Sequence, residues 1–199
     1  MNVRTAGPAD LDGLTALLSE AFAGDPLWRW AFPDDEGMAA WWRFCVGSAL
    51  RYPCVWIVGD FAAASVWIPP GGVELTDEEE ERVEPLLREL VGPRAPQVLE
   101  LLERFETAHP REEPHYYLSL LGTADRHRGQ GIGMALLTEN LMLIDDEGAA
   151  AHLESSNPAN NPRYERMGFR WTDEFTTPDG ERTVATMWRE PTPADSGTA

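Results

Sequence analysis

Short apolar runs alternate along this chain with longer segments in which apolar residues recur every three or four positions. The first such segment places Leu11, Leu14, Leu17, Leu18 and Phe22 on one stripe, which is the spacing of residues on a single helix face. The apolar runs between these segments have the length and composition of strands. We predict strands at residues 2–5, 54–59, 62–69, 116–121, 149–154, 169–175 and 183–188.

The remaining periodic segments predict further helices. One is rich in aromatic residues and ends near Pro53, and a strongly charged helical segment occupies residues 76–108. Another, over residues 134–144, connects two strands as a crossover helix. Because hairpins and a crossover helix occur together, we predict a single α/β domain with a mixed sheet over residues 1–189. We expect residues 190–199, which are rich in Pro, Ser, Gly and Thr, to form a disordered tail.

Composition and charge exclude some classes of function. The 199 residues are 43% hydrophobic and 25% charged, which is the composition of a globular domain with a substantial core. The formal net charge of -18 argues against binding to nucleic acids or anionic membranes, because both require a cationic face. No segment resembles a signal peptide or a membrane span, so we expect a cytoplasmic protein.

A glycine-rich turn at residues 128–133, Arg-Gly-Gln-Gly-Ile-Gly, lies between the strand at 116–121 and the helix at 134–144. Glycines allow a ligand to approach main-chain N–H groups, and a helix N-terminus carries about half a positive charge, so this turn suits a phosphate. It matches neither the P-loop nor the dinucleotide pattern G-x-G-x-x-G. The alternative is a turn whose glycines only tighten the packing of strand and helix.

Two motifs carry a resemblance to a known family. Arg128, Gly131 and Gly133 fit the pattern Arg/Gln-x-x-Gly-x-Gly/Ala, which resembles the acetyl-coenzyme A pyrophosphate loop of the GNAT superfamily of N-acetyltransferases. Farther along, Asn157 and Tyr164 fit Asn-x6-Tyr-Glu-x-x-Gly-Phe, which is similar to the second cofactor-facing segment of the same superfamily. The spacing of the two segments, with one helix between them, also resembles that of the family.

The resemblance implies a mostly antiparallel central sheet with one splayed strand pair and helices on both faces. It implies acetyl-CoA as the cofactor, with the pantetheine arm lying between the splayed strands. Tyr164 would then act as the general acid near the thioester sulfur. The cofactor contacts that it implies are Leu121, Thr123, Arg126, Arg128, Gly129, Gln130, Gly131, Ile132, Gly133, Met134, Asn157, Asn160 and Tyr164.

Residues 109–189 resemble more narrowly puromycin N-acetyltransferase and its actinobacterial relatives. The sequence departs from their loop pattern at Thr123, Asp125 and Arg128, where Val, Pro and Gln are usual. The N-terminal half, which chooses the acceptor in this family, diverges most. We therefore do not transfer puromycin to this chain as a substrate.

The reaction implied by the resemblance requires a base, because an amine with a pKa of about 10.4 is almost wholly protonated at neutral pH. Glu154, near the end of the predicted diverging strand, is the first candidate, and His115 or Glu113 is the second. Trp28 and Trp30, in a predicted loop beside acidic residues, form either an aromatic wall for a cation or part of the core. We expect Trp28, Trp30 and His115 to contact the acceptor.

The favoured function is acetyl transfer from acetyl-CoA to a primary amine of a small, cationic molecule. Two alternatives stay open, namely a non-catalytic coenzyme A-binding sensor or partner module and an N-acetyltransferase of proteins. A homodimer through the C-terminal strands would be ordinary for the family. The sequence contains no recognisable cluster of metal-ligating residues, so we predict no metal.

Overall fold

The computed structural model describes residues 1–192. Its strands are β1 (Val3–Thr5), β2 (Val55–Val58), β3 (Ala63–Ile68), β4 (His115–Thr123), β5 (Ala150–Ser155), β6 (Arg170–Thr176) and β7 (Thr183–Arg189). Its helices are α1 (Leu11–Phe22), α2 (Pro26–Ala31), α3 (Asp35–Ala49), α4 (Asp77–Val91), α5 (Ala95–Ala108), α6 (Ile132–Asp146) and α7 (Asn161–Arg166). All seven predicted strands are confirmed, with bounds shifted by one or two residues.

The strands form one seven-stranded sheet in the order β1-β2-β3-β4-β5-β7-β6. Neighbouring strands run antiparallel except β4 and β5, which are parallel and joined through α6. A parallel pair requires such a crossover connection, whereas the antiparallel pairs β2–β3 and β6–β7 are joined by tight turns. The predicted mixed, mostly antiparallel sheet is confirmed.

The parallel pair β4–β5 separates partway along its length. The two strands are in register from His115 opposite Ala150 to Leu118 opposite Leu153, and β4 then continues to Thr123 without β5. A bulge accompanies the separation, because Leu118 pairs with Trp67 and Leu120 with Val66, which leaves Ser119 as an extra residue. The predicted splayed strand pair is therefore present, and Ser119 stands at its opening.

Helices cover both faces of the sheet. Successive residues of a strand point to opposite faces, and on β3 the residues Ala64, Val66 and Ile68 belong to the larger core, which contains the buried stripes of α1 and α3. On the other face, Ser65 Oγ and Trp67 Nε1 donate to the buried Asn140 side chain of α6, at 2.7 and 3.1 Å. The two faces of the sheet thus have separate cores.

One segment differs from the sequence prediction. Residues 26–31, which carry Trp28 and Trp30, form the short helix α2 and not a loop. Asp25 begins this helix, because its carboxylate accepts from the N–H groups of Leu27 and Trp28 at 3.0 and 3.1 Å. Pro26 occupies the first helical position, where proline is favoured.

The predicted tail is described only as far as Thr192, whose N–H donates to Asp145 Oδ1 at 2.8 Å. Residues 193–199 lie outside the described residues. Within residues 1–192, no helix combines the length and the apolar character that a membrane span requires.

Candidate active site

The glycine-rich turn forms the N-terminus of α6. Gly129 and Gly131 both have φ of 77°, a left-handed conformation that favours glycine over residues with a side chain. The first backbone bond of α6 is donated by Ala135 N–H to Gly131 O at 2.9 Å. The N–H groups of Ile132, Gly133 and Met134 therefore precede the helical ladder and face out of the helix end, as in other anion-binding helix N-termini.

Gly133 has a different role from the other two glycines. A Cβ at this position would lie 2.4 Å from Thr123 Oγ1, which is closer than nonbonded atoms approach each other. Gly133 therefore lets α6 pack directly against the end of β4. The packing interpretation of this turn holds for Gly133, and the phosphate interpretation stays a prediction for Gly129 and Gly131, which shape the main chain before α6.

The basic side chains of the turn are held by the protein itself. Arg126 donates to Asp60 O at 3.2 Å, and Arg128 donates to Ala21 O at 2.7 Å. Arg128 also pairs with Asp125 at 2.8 Å, so these two departures from the family pattern form one ion pair. The groups at this helix end that would suit an anion are accordingly main-chain N–H groups.

The second cofactor-facing segment connects β5 to α7. Asn157 accepts from Ala159 N–H at 3.1 Å and shapes the turn, while Asn160 accepts from Arg163 at 2.9 Å. Tyr164 packs against Phe169, with ring centroids 6.2 Å apart. Burial and, to a lesser extent, the Asp25 charge raise the pKa of Tyr164 to about 12, so its hydroxyl carries a proton at neutral pH.

These features fit acetyl-CoA. The N–H groups at the start of α6 suit its pyrophosphate, because an N-terminal helix turn presents several aligned donors to an anion. Beyond Leu118 and Leu153 the edges of β4 and β5 are no longer paired with each other, so their backbone groups are free to bind an extended arm. Among the predicted contacts, Leu121, Asn160 and Tyr164 line the cavity described next.

A cavity of about 750 Å³ opens against the separating strands. Aromatic residues form part of its wall: Phe22, Trp28, Trp41, Trp42, Phe105 and Tyr117. Glutamates form another part: Glu74, Glu80, Glu84, Glu103, Glu106, Glu112, Glu113 and Glu154. Arg111 is the single arginine among the lining residues and no lysine joins it, so the cavity favours a cation with an apolar body.

The structure brings two of the three predicted acceptor residues to the cavity. Trp28 and His115 line the cavity, and Trp28 also packs edge-on to Trp42 with ring centroids 4.8 Å apart. Trp30 is not among the residues that line the cavity, and the guanidinium groups of Arg94 and Arg182 lie 5.3 and 6.0 Å from its ring centroid. On a helix, residues two apart point in different directions, which explains why Trp28 and Trp30 separate.

Glu154 lies at the centre of a histidine cluster. His152 Nε2 donates to Glu154 Oε1 at 2.7 Å, and His109 Nδ1 lies 3.4 Å from the same oxygen. The Glu154 side chain is only 1% exposed. Burial alone would raise the pKa of Glu154, but hydrogen bonds and charge from His109 and His152 outweigh it and lower this pKa to about 2.

The cluster extends to His115. Its Nδ1 lies 2.7 Å from the Glu113 carbonyl oxygen, which can only accept, so Nδ1 carries the hydrogen. Its Nε2 lies 3.2 Å from His109 Nε2. Burial lowers the pKa of His115. His109 therefore connects Glu154 and His115, two residues predicted as candidate bases. His109 itself was not predicted as a site residue.

The same cluster is the group best arranged to hold a metal. Ligand atoms of His109, His152 and Glu154 all lie within 4.8 Å of one another. The 2.7 Å contact between His152 and Glu154 is a hydrogen bond, so Glu154 Oε1 is satisfied by the protein alone. The absence of a metal stays a prediction.

Glu74 is the second carboxylate at the strand separation. Its Oε1 accepts from Ser119 Oγ at 2.5 Å, and Ser119 is the bulge residue of β4. The side chain is accessible from the cavity but closely surrounded by protein. This burial, with repulsion from Glu154 and Glu106, outweighs the Ser119 hydrogen bond and the nearby His109, and raises the pKa of Glu74 to about 7.

Comparisons with known proteins agree with this arrangement. Residues 107–187 match the family model described as an acetyltransferase (GNAT) domain. These residues include the separating strands, the glycine turn and Tyr164. Residues 107–187 therefore resemble a GNAT acetyltransferase domain. A curated relative, the uncharacterized N-acetyltransferase C550.08 of Schizosaccharomyces pombe, is 26% identical over 153 residues, which are 67% of this chain and 58% of the relative.

Three solved structures extend the likeness of fold over nearly the whole chain. The histone acetyltransferase HPA2 and related acetyltransferase of Corynebacterium glutamicum has 22% identity and a TM-score of 0.66, covering 97% of both chains. Arylalkylamine N-acetyltransferase 2 of Aedes aegypti has 16% identity and a TM-score of 0.71, covering 96% and 100%. The polyamine N-acetyltransferase of Drosophila melanogaster has 20% identity and a TM-score of 0.66, covering 94% and 98%. The likeness of fold therefore extends beyond the family match to the N-terminal half of the chain.

Proposed function

We propose that this protein transfers an acetyl group from acetyl-CoA to a primary amine of a small cationic molecule. The observation that carries the proposal is the acidic, aromatic cavity, which reaches the opening between β4 and β5 at Ser119 and Glu154. The glycine turn at the start of α6 supports the cofactor, and the cavity supports the acceptor.

The cavity chemistry favours a particular kind of acceptor. Glutamates attract an ammonium group, and aromatic faces contribute about 0.5 to 2 kcal/mol to a cation in contact with them. Two structural neighbours are named for such compounds, because one acts on arylalkylamines and another forms N-acetylagmatine. The neighbour described as a histone acetyltransferase leaves protein acetylation as the second candidate. The narrower resemblance to puromycin N-acetyltransferase rests on sequence motifs alone, and puromycin is not proposed as the acceptor.

Acetyl-CoA would supply an acetyl group that is activated as a thioester. Tyr164 lines the cavity beside the second cofactor segment, and its hydroxyl holds a proton that it can donate to the departing thiolate. Main-chain N–H groups of β4 beyond its pairing with β5 would bond the acetyl oxygen. Strand separation, Tyr164 and the acidic cavity thus support the three parts of the proposed reaction.

The proposal is tested by isothermal titration with acetyl-CoA, followed by a thiol-release assay with agmatine, phenethylamine, tryptamine and a lysine-containing peptide. We expect micromolar cofactor binding and thiol release with at least one small amine. Release only with the peptide would favour protein acetylation. Binding without release from any amine would favour the non-catalytic sensor module, and absence of binding would reject the cofactor assignment.

The role of Tyr164 has its own test. Tyr164→Phe removes the donated proton and keeps the ring that packs on Phe169. We expect kcat to fall by about 10²-fold or more, because general acid catalysis typically contributes 10²–10⁴-fold, while acetyl-CoA binds as before. Unchanged kcat would remove Tyr164 from the mechanism.

A further inference from the structure

We propose that Glu74 is the catalytic base, and that its carboxylate binds the acceptor ammonium group and takes its proton. The inference rests on the proposed function and assigns a residue that the motifs do not reach. Glu74 lies between the proline- and glycine-rich segment after β3 and the start of α4, far in sequence from the cofactor segments.

The main chain fixes Glu74 in place. Its carbonyl oxygen accepts from Ser48 Oγ at 2.8 Å, and the preceding carbonyl of Val73 accepts from Arg51. Its carboxylate is oriented by Ser119 Oγ at 2.5 Å. A base must be held within hydrogen-bond reach of the proton it removes, and Glu74 is anchored at both ends while one carboxylate oxygen stays available.

The position of Glu74 is at the opening of the sheet. Leu118 opposite Leu153 is the last pair of the parallel strands, so Ser119 and Glu154 are the next residues on the two sides of the opening. Glu74 therefore faces the place where an amine must lie in order to reach an acetyl group held between the strands. The neighbouring acids and aromatic walls of the cavity lead to this point.

Glu154 is less suited to the same task. Its side chain is 1% exposed, and Oε1 is bonded to His152 and lies near His109. A carboxylate whose pKa is lowered to about 2 takes a proton from an ammonium poorly, whereas Glu74, with a pKa of about 7, is matched to neutral pH. Glu154 acts instead as a positioning residue that holds the histidines beside the cavity.

The groups that surround Glu74 on every side determine its titration. Those facing it are Ser119 and Tyr117 of β4, Glu154 of β5, Glu106 of α5, His109 beyond α5, Cys45 of α3 and Arg51. Two of these seven groups, Glu154 and Glu106, are carboxylates, and their repulsion adds to the effect of burial in raising the pKa of Glu74. A bound ammonium would reduce their repulsion, so we expect the ionised form of Glu74 to be favoured in the complex with the amine.

The proton and electron balance of the step is as follows. Glu74 takes one proton from the ammonium nitrogen, which frees the lone pair that forms the C–N bond to the acetyl carbon. As the C–S bond breaks, Tyr164 gives its proton to sulfur, and the second proton lost by nitrogen returns to the Tyr164 oxygen. Glu74 then releases its proton to solvent, so the net products are an amide, a thiol and one proton.

The experiment compares pH profiles of kcat/KM for the wild-type protein and Glu74→Gln, using the best amine from the panel. Wild-type kcat/KM should rise with pH through about 7 and then level off, because the base works only when deprotonated. At pH 7.5, the kcat/KM of Glu74→Gln should be about 10²-fold or more below that of the wild-type protein, and it should not show this rise near pH 7. In the wild-type protein, kcat should rise at a lower pH than kcat/KM, because the bound ammonium favours the ionised form of Glu74.

Two further variants distinguish the loss of a catalytic base from the loss of a negative charge and from misfolding. Glu103→Gln removes the same charge from the same cavity wall, and we expect a severalfold change in KM with the rise near pH 7 retained. Glu74→Ala should be partly rescued by added formate, which replaces the missing carboxylate. Circular dichroism and acetyl-CoA titration establish that each variant is folded and binds the cofactor.

The outcomes distinguish this inference from the proposed function. No thiol release by the wild-type protein would overturn both. If Glu74→Gln releases thiol as fast as the wild-type protein and its kcat/KM still rises near pH 7, only the assignment of Glu74 is overturned. Loss of the rise near pH 7 in Glu74→Gln together with formate rescue of Glu74→Ala would support it.

Discussion

The two sides of the opening between β4 and β5 each present a glutamate, but the two carboxylates have opposite environments. Glu74, on the β4 side, faces a cavity lined with other acids and accepts a hydrogen bond from the neutral Ser119 hydroxyl. Glu154, on the β5 side, lies in contact with two histidines and is almost wholly buried. The first environment disfavours the charge and the second stabilises it.

This difference explains how one side-chain type can serve two purposes within one site. Carboxylates with separated pKa values take separate roles in other enzymes, where environment and not residue type decides. Here Glu74 is suited to exchange a proton near neutral pH, while Glu154 keeps its charge and orients His109 and His152. Each prediction below alters one of the two sides.

The largest effect is expected from breaking the Glu154 cluster. Glu154→Gln removes the charge that the buried His152 and the partly buried His109 face, and leaving a buried hydrogen-bonding group without its partner typically costs about 1–3 kcal/mol. Urea unfolding at pH 7 measures the change in the free energy of unfolding. Glu103→Gln, at an exposed position, serves as the control and should change it by less than about 0.5 kcal/mol. A loss below about 1 kcal/mol in Glu154→Gln would contradict the cluster.

The second prediction concerns the pH dependence of that contribution. Glu154 has a pKa of about 2 in the folded protein against 4.5 in the unfolded chain, a difference that corresponds to about 3 kcal/mol. Because the folded pKa is depressed, this stabilisation is present above pH 4.5 and is lost as pH falls towards 2. The stability difference between the wild-type protein and Glu154→Gln should therefore shrink over that range, measured by urea unfolding at several pH values. A constant difference would mean that Glu154 contributes through packing and not through charge.

The local structure of the glycine turn and of the segment before α7 was largely predictable from the sequence because its signals are local. The glycine turn must follow a strand and begin a helix, and the positive φ angles of Gly129 and Gly131 restrict the residues that can occupy these positions. Tyr164 follows Asn157 within one short connected segment. Such spacing is visible along the chain without knowledge of the fold.

The acceptor side was predictable only in part because its contacts join distant segments. Glu74 meets Ser119 across 45 positions, and His109 meets Glu154 only after α5 packs beside the sheet. The bulge that exposes Ser119 depends on the register between β3 and β4, which no local pattern specifies. The capping role of Asp25 was a usable signal for α2, since Asp-Pro before an apolar residue is a helix start.

The smallest expected effect concerns Glu74. It is a gain in stability on substitution, whereas Glu154→Gln is expected to lose stability. The pKa of Glu74 is about 7 in the folded protein against 4.5 in the unfolded chain, so the folded state retains a proton between these values and wild-type stability falls as pH rises through this window. Glu74→Gln avoids the cost of a charge close to Glu154 and Glu106, a cost that solvent reduces because Glu74 is exposed to the cavity. We expect its Tm to equal that of the wild-type protein near pH 5 and to exceed it at pH 8 by roughly 2–4 °C, the effect of about 1 kcal/mol in a protein of this size. Differential scanning calorimetry at both pH values measures this, with Glu103→Gln expected to show no such trend. A Glu74→Gln variant that is less stable at pH 8 would show that Glu74 supports the fold, and the contrast with Glu154 would fail.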